Sequence, residues 1–133
     1  MIHQYPSQVA RPDLSAEQLA VYERIEHTRE HIFVTGRAGT GKSTILNHLA
    51  WKTSKIIAVC APTGVAALNV GGQTIHSLLR LPTGVIADQE LDQPAELKKM
   101  LASIDTLVID EISMVSADLM DAIDRSLRQA RGK

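Results

Sequence analysis

A single cysteine, Cys60, occurs in 133 residues. No disulfide can form within the chain, and a centre held by several cysteines is excluded. Cys60 lies in the apolar run Ile56-Ile57-Ala58-Val59-Cys60-Ala61. That setting suits a buried small hydrophobe better than a nucleophile. No apolar stretch reaches membrane-spanning length, and the N-terminus lacks the core of a signal peptide. We therefore expect an intracellular protein with no membrane contact, cytoplasmic in a bacterium, nuclear or mitochondrial in a eukaryote. A cationic surplus is also missing, since the formal net charge is −1. Any nucleic-acid contact must then be local and partly through backbone. Internal repeats and low-complexity segments are absent. The length is that of one domain, and 44% of residues are hydrophobic, enough for a core.

Against these absences stands Gly36-Arg37-Ala38-Gly39-Thr40-Gly41-Lys42-Ser43. It fits G-x-x-x-x-G-K-[ST], the phosphate-binding loop of nucleotide hydrolases. Glycines let the backbone wrap a phosphate closely, and the inward N–H groups form an anion nest. The helix that follows adds its positive end. Lys42 would reach the β- and γ-phosphates, and the Ser43 hydroxyl would ligate Mg²⁺. The nucleotide-binding set is then Gly36, Ala38, Gly39, Thr40, Gly41, Lys42, Ser43 and Thr44. The motif should sit between strand and helix. The β-prone run 31–35 precedes it, and residues 44–51 carry apolar residues at helical spacing.

Elsewhere the pattern alternates strand and helix. Residues 1–13 read as a loose arm. Ser15 caps a helix with Gln18 closing a capping box, and Leu14 and Leu19 fit a hydrophobic staple. Leu19, Tyr22 and Ile25 continue one apolar face. Buried strands are predicted at 56–61 and 107–109, short helical pieces at 65–68 and 74–79, and a helix from Pro94 to about 102. Residues 82–93 form a loop or small insertion. Ser116 caps a last helix with Leu119, Met120, Ile123 and Leu127 on its apolar face. Strands apolar throughout, alternating with helices, indicate an α/β fold with a parallel sheet covered on both faces.

Leu107-Val108-Ile109-Asp110-Glu111 complements the phosphate loop. An apolar strand delivers acids to its C-terminal end, where open α/β sheets place ligands. Asp110 would hold Mg²⁺ and Glu111 would activate the attacking water. Thr63 could contact a nucleic-acid backbone or simply turn the chain. His76 could be structural or base-stacking. Gln18 could cap its helix or touch adenine. Trp51 is simplest as a packing residue.

Taken together, these motifs resemble the Pif and RecD-like branch of superfamily-1 DNA helicases. G-R-A-G-T-G-K-S at 36–43 is similar to the family's first motif. A-P-T-G-V-A-A-L-N-V-G-G-Q-T-I-H-S-L-L at 61–79 resembles its next motifs, and I-D-E-I-S-M-V-S-A-D-L-M-D-A-I-D at 109–124 its Asp-Glu motif. Leu14 to Gln18 resembles its upstream glutamine motif. The likeness spans about residues 14–131 and implies a RecA-like P-loop NTPase fold. It implies Mg-ATP as cofactor, with Gln18 contacting adenine, and single-stranded DNA or a fork as partner. Thr63, Gly64 and His76 become DNA contacts, and 82–93 corresponds to a small wedge element. It further implies 5′-to-3′ unwinding, with roles in DNA repair, recombination and telomere maintenance.

The family's phosphate-sensing motif, second RecA-like domain and arginine fingers find no counterpart in residues 1–133. The strand that would pair between the phosphate-loop strand and the Asp-Glu strand is also missing. We therefore expect residues 14–133 to be a partial ATPase domain, inactive or very slow alone. The alternatives are a nucleotide-binding module without turnover, or a different P-loop ATPase such as an AAA-type loader or a small-molecule kinase.

Overall fold

The computed structural model describes residues 13–36, 41–84 and 91–133. They divide into two compact units, one ending at Lys55 and one running from Ile56 to Lys133.

The first unit pairs helices α1 (Ala16–His27) and α2 (Lys42–Lys52). Ser15 caps α1, accepting from the Gln18 N–H at 3.2 Å, and Ser15 N–H donates to Gln18 Oε1 at 2.9 Å. The capping box forms as its spacing predicts. Of the expected apolar face only Tyr22 is buried, while Leu19 stays 42% exposed. Tyr22 meets the ring of buried His48 edge-on at 4.6 Å, and Trp51 flanks the same ring at 5.7 Å. Neither His48 ring nitrogen has a hydrogen-bond partner among the described residues. Ile45 and Leu49 complete this small core.

A polar clasp closes the far end of the helix pair. Glu26 accepts from the Thr53 hydroxyl at 2.6 Å, the Ser54 N–H at 2.9 Å and the Ser54 hydroxyl at 2.8 Å. Lys55 Nζ donates to the carbonyls of Ile25 and Thr28, at 2.6 and 2.7 Å, near the negative end of α1. The Thr53 hydroxyl, then the Ser54 N–H, hold the Glu26 carboxyl down at about 2.

One expectation fails in this unit. Residues 31–35 form no strand. A strand exists only as part of a ladder, and no described strand pairs with this run.

The second unit is built on a parallel three-stranded sheet in the order β2-β1-β3. Its strands are β1 (Ile57–Ala61), β2 (Gln73–Thr74) and β3 (Thr106–Ile109). Register is fixed by Cys60 opposite Gln73 and by Cys60 opposite Ile109. The connections carry α3 (Gly64–Asn69), α4 (Ile75–Leu79) and α5 (Ala95–Ser103). After β3 come a 3₁₀ turn (Ile112–Met114) and α6 (Ala117–Arg131), capped by Ser116 as expected. Pro94 takes the N-cap position of α5.

β2 was not legible as a strand. Two residues are too few for a period-2 pattern, and their pairing depends on Gly72. A Cβ there would run into the Val59 carbonyl, so only glycine lets the two backbones meet.

The core joins Ala58 and Cys60 of β1 to Ile75, Leu78 and Leu79 of α4, Leu97 and Leu101 of α5, and Ala122 and Ile123 of α6. Cys60 is fully buried, and burial pushes its thiol up to about 12. It is the small hydrophobe its context predicts. On α6 the buried face centres on Ala122, Ile123 and Ser126, with Met120 left 40% exposed. The face is turned slightly from the expected one, toward Ala122 and Ser126. β1 is buried almost throughout, whereas every residue of β3 is half-buried. β3 is an edge strand among the described residues, so the expected covering of both faces holds only for β1.

Ser126 and Gln129 of α6 grip the chain just before α5. Gln129 accepts from the Leu91 N–H at 3.0 Å and donates to the Leu91 carbonyl at 2.7 Å. Gln93 Nε2 donates to the Ser126 carbonyl and hydroxyl, at 2.8 and 3.0 Å. Residues 85–90 of the expected 82–93 insertion, and the expected arm at 1–12, lie outside the described residues.

Candidate functional site

In the first unit, the phosphate-loop motif opens α2 where its spacing puts it. Gly41 is the N-cap, with φ +86°, a left-handed conformation that side chains resist. A Cβ at Gly41 would also strike the Gln18 side-chain amide. Gln18 Nε2 donates to the Gly41 carbonyl at 3.3 Å while its Oε1 completes the capping box. The two local readings of Gln18 are therefore compatible, because one amide faces both its own helix and the loop. Lys42 and Ser43 stand exposed in the first turn of α2, with Thr44 half-buried behind them. Lys42 Nζ donates to the Gly36 carbonyl at 3.0 Å, tying it to the residue that begins the motif. Ala38, Gly39 and Thr40 lie outside the described residues.

In the second unit, parallel pairing brings three strand ends to one edge. β1 leads into Thr63, β2 into α4 with His76, and β3 into Asp110 and Glu111. The Asp110 N–H donates to the Cys60 carbonyl at 2.9 Å, extending the ladder one step and fixing where Asp110 emerges. Glu111 follows at φ +54°, ψ +46°. A side-chain-bearing residue pays about 1–2 kcal/mol for that left-handed geometry. The turn releases the chain into the 3₁₀ segment and leaves the Glu111 carboxylate exposed.

Thr63 caps α3, its hydroxyl accepting from the Ala66 N–H at 3.2 Å. Its hydrogen remains available to an outside acceptor. Gly64 is exposed, and a Cβ built on it would meet nothing. Among the described residues, neither packing nor backbone conformation requires glycine there. His76 is half-buried on α4, with exposed Ser77 beside it. Thr74 caps α4 through its hydroxyl, accepting from the Ser77 N–H at 3.2 Å.

Among the described residues, no group of three or more His, Cys, Asp or Glu could hold a metal. That does not conflict with Mg²⁺, which is commonly held by one or two protein oxygens plus phosphate and water. Ser43 and Asp110 offer hard oxygen donors of the right kind. Arg80, the residue that ends α4, is left-handed (φ +50°), and no local sequence signal marks that conformation.

A phosphate-loop motif opening a helix, with a parallel strand ending in Asp-Glu, defines a P-loop NTPase fold of the RecA-like α/β class. Residues 13–133 match the PIF1-like helicase family, and the chain belongs to that family. It is 37% identical over 127 residues to ATP-dependent DNA helicase RRM3 of Saccharomyces cerevisiae, covering 89% of this chain and 18% of that protein. Against the ATP-dependent DNA helicase PIF1 of Homo sapiens it is 38% identical over 125 residues, covering 91% of this chain and 19% of that protein. The chain thus spans about a fifth of the length of these curated relatives. Among solved structures, the Pif1 helicase from Bacteroides in complex with ADP-AlF3 and ssDNA superposes with a TM-score of 0.81 at 41% identity. That match covers 90% of this chain and 28% of the Bacteroides chain.

Proposed function

We propose that this chain supplies part of the ATPase domain of an ATP-dependent DNA helicase that moves 5′-to-3′ on single-stranded DNA. The observation that carries the reading is the sheet edge of the second unit. There Thr63, His76 and the Asp110-Glu111 pair emerge together from parallel strands. Nucleotide chemistry and a nucleic-acid contact can be served from one such edge.

In this reading Lys42 places its ammonium against the β- and γ-phosphates, and the first-turn N–H groups of α2 receive phosphate oxygens. Gln18, already held against Gly41, presents its amide to adenine. Ser43 and Asp110 carry the oxygen donors that would hold Mg²⁺, which would supply neutralisation of the phosphate charge. Glu111 orients the attacking water and takes its proton. Thr63, Gly64 and His76 contact the single strand, and the missing Gly64 side chain admits its backbone closely.

Phosphoryl transfer of this kind depends on positioning and charge stabilisation, and an arginine from elsewhere can be worth about 10³–10⁵ in rate. Residues 1–133 alone should therefore bind Mg-ATP and hydrolyse it very slowly. The test is nucleotide binding by calorimetry and phosphate release by the purified chain and its Lys42→Ala variant. Binding lost in Lys42→Ala, with little release by either protein, is expected. Fast release by the parent chain that Lys42→Ala abolishes would refute the requirement for outside groups. Equal nucleotide binding by both would refute the role of Lys42.

A further inference from the structure

Three helices of the second unit end in the same way. In each, the N–H of the residue that follows a left-handed one reaches back to a carbonyl five residues earlier. After α3 the bond is Gly72 N–H to Ala67 O at 2.9 Å, with Gly71 at φ +64°. After α6 it is Lys133 N–H to Arg128 O at 2.9 Å, with Gly132 at φ +67°. After α4 it is Leu81 N–H to His76 O at 3.0 Å, and the left-handed residue is Arg80 at φ +50°. The motif favours glycine, and two of the three helices use it. The third bears the conformational cost of an arginine. Among the described residues only Glu111 shares that status, and it carries a proposed catalytic role.

No hydrogen bond or ion pair engages the Arg80 guanidinium among the described residues. Arg80 lines a groove of about 180 Å³ with Gln73, Ser77, Leu78, Glu96, Leu97 and Met100. On α4, Ile75, Leu78 and Leu79 are buried, which leaves His76, Ser77 and Arg80 on the outward face. Gln73 joins them, its Oε1 accepting from the Ser77 hydroxyl at 3.2 Å. The result is a polar strip with one exposed cation at its end. Glu96, on the α5 wall of the groove, bars an anion from settling deep between the helices. A lone small anion would gain little from one exposed, salt-screened guanidinium. A polyanion already held at His76 needs only to continue along α4 to meet Arg80.

We propose that Arg80 binds a backbone phosphate of the single strand, one step beyond His76. This rests on the nucleic-acid reading above and adds to it a charged residue that extends the strand's path along α4. Arginine suits the task because its planar fork can grip two phosphate oxygens.

The test is fluorescence anisotropy of labelled single-stranded DNA with the full chain, from about 50 to 200 mM salt. The proteins compared are the parent, Arg80→Ala, Arg80→Gly and Glu96→Gln. Arg80→Ala should weaken binding about three- to tenfold at the lowest salt and reduce the slope of log K against log salt by about 0.7, the signature of one lost phosphate contact. Arg80→Gly should lose the same affinity while its melting temperature holds or rises, because glycine relieves the left-handed backbone. That combination excludes misfolding as the cause. Glu96→Gln should bind slightly more tightly. Parent-like affinity and slope in both Arg80 variants would overturn the assignment. No binding by a folded parent would overturn the nucleic-acid reading itself and the assignment with it.

Discussion

Removing the charge of Glu26 should loosen the helix pair that carries Lys42, with an effect that depends on pH. The carboxyl is held at about 2, against an ordinary value of 4.5, chiefly by the Thr53 hydroxyl and then by the Ser54 N–H. At about 1.4 kcal/mol per unit, a fully retained shift of this size corresponds to about 3 kcal/mol. Glu26 is only half-buried, and solvent screening reduces the realised value to about 1–2 kcal/mol. The sign follows from the depressed folded value. The contribution is complete above pH 4.5 and is lost as pH falls toward 2. Glu26→Gln keeps the shape and removes the charge. It should destabilise the helix pair by about 1–2 kcal/mol at pH 7 and by almost nothing near pH 2. Two measurements check this on the purified chain. An NMR titration of the Glu26 carboxyl reads the pKa directly, and amide exchange at Ser54 reads local opening. A pKa near the ordinary 4.5, or a Glu26→Gln penalty that does not change between pH 6 and pH 2, would refute the reasoning.

Two further substitutions probe backbone geometry. Glu111→Gly should raise stability by about 0.5–1 kcal/mol, the left-handed cost less the added freedom of the unfolded chain. The same change should abolish whatever ATP hydrolysis the Asp-Glu motif supports. A lowered melting temperature would show that the side chain stabilises its own turn. Gly72→Ala should cost about 1–3 kcal/mol, because the new Cβ collides with the backbone of Val59 and parts β2 from β1. Unchanged thermal unfolding would mean that the β1–β2 contact is dispensable.

Local chemistry was legible wherever one residue type does one job. Ser15 with Gln18, Pro94 and Ser116 mark helix starts by satisfying or sparing free N–H groups, and each does so in the structure. The apolar runs ending at Ala61 and Ile109 became parallel strands, although only the first is buried nearly throughout. What failed depends on partners distant in sequence. Residues 31–35 have strand composition but no ladder, and composition cannot provide one. β2 exists because Gly72 permits contact with Val59, a fact of three-dimensional spacing. The candidate site divides along the same line. Gly41, Lys42, Asp110 and Glu111 announce themselves by spacing. Arg80 does not, because its conformation is imposed by the ending of α4 and no neighbouring residue signals it.

The burial of Cys60 has a practical consequence. The chain's one thiol is sealed beneath β1 and stays protonated at any pH used for labelling. A cysteine introduced at an exposed position such as Ser77 would then be the single reactive handle. Maleimide dyes or spin labels could be attached there without first deleting a native residue. The strip along α4 can thus be followed one molecule at a time, in a protein whose own sulfur remains optically silent.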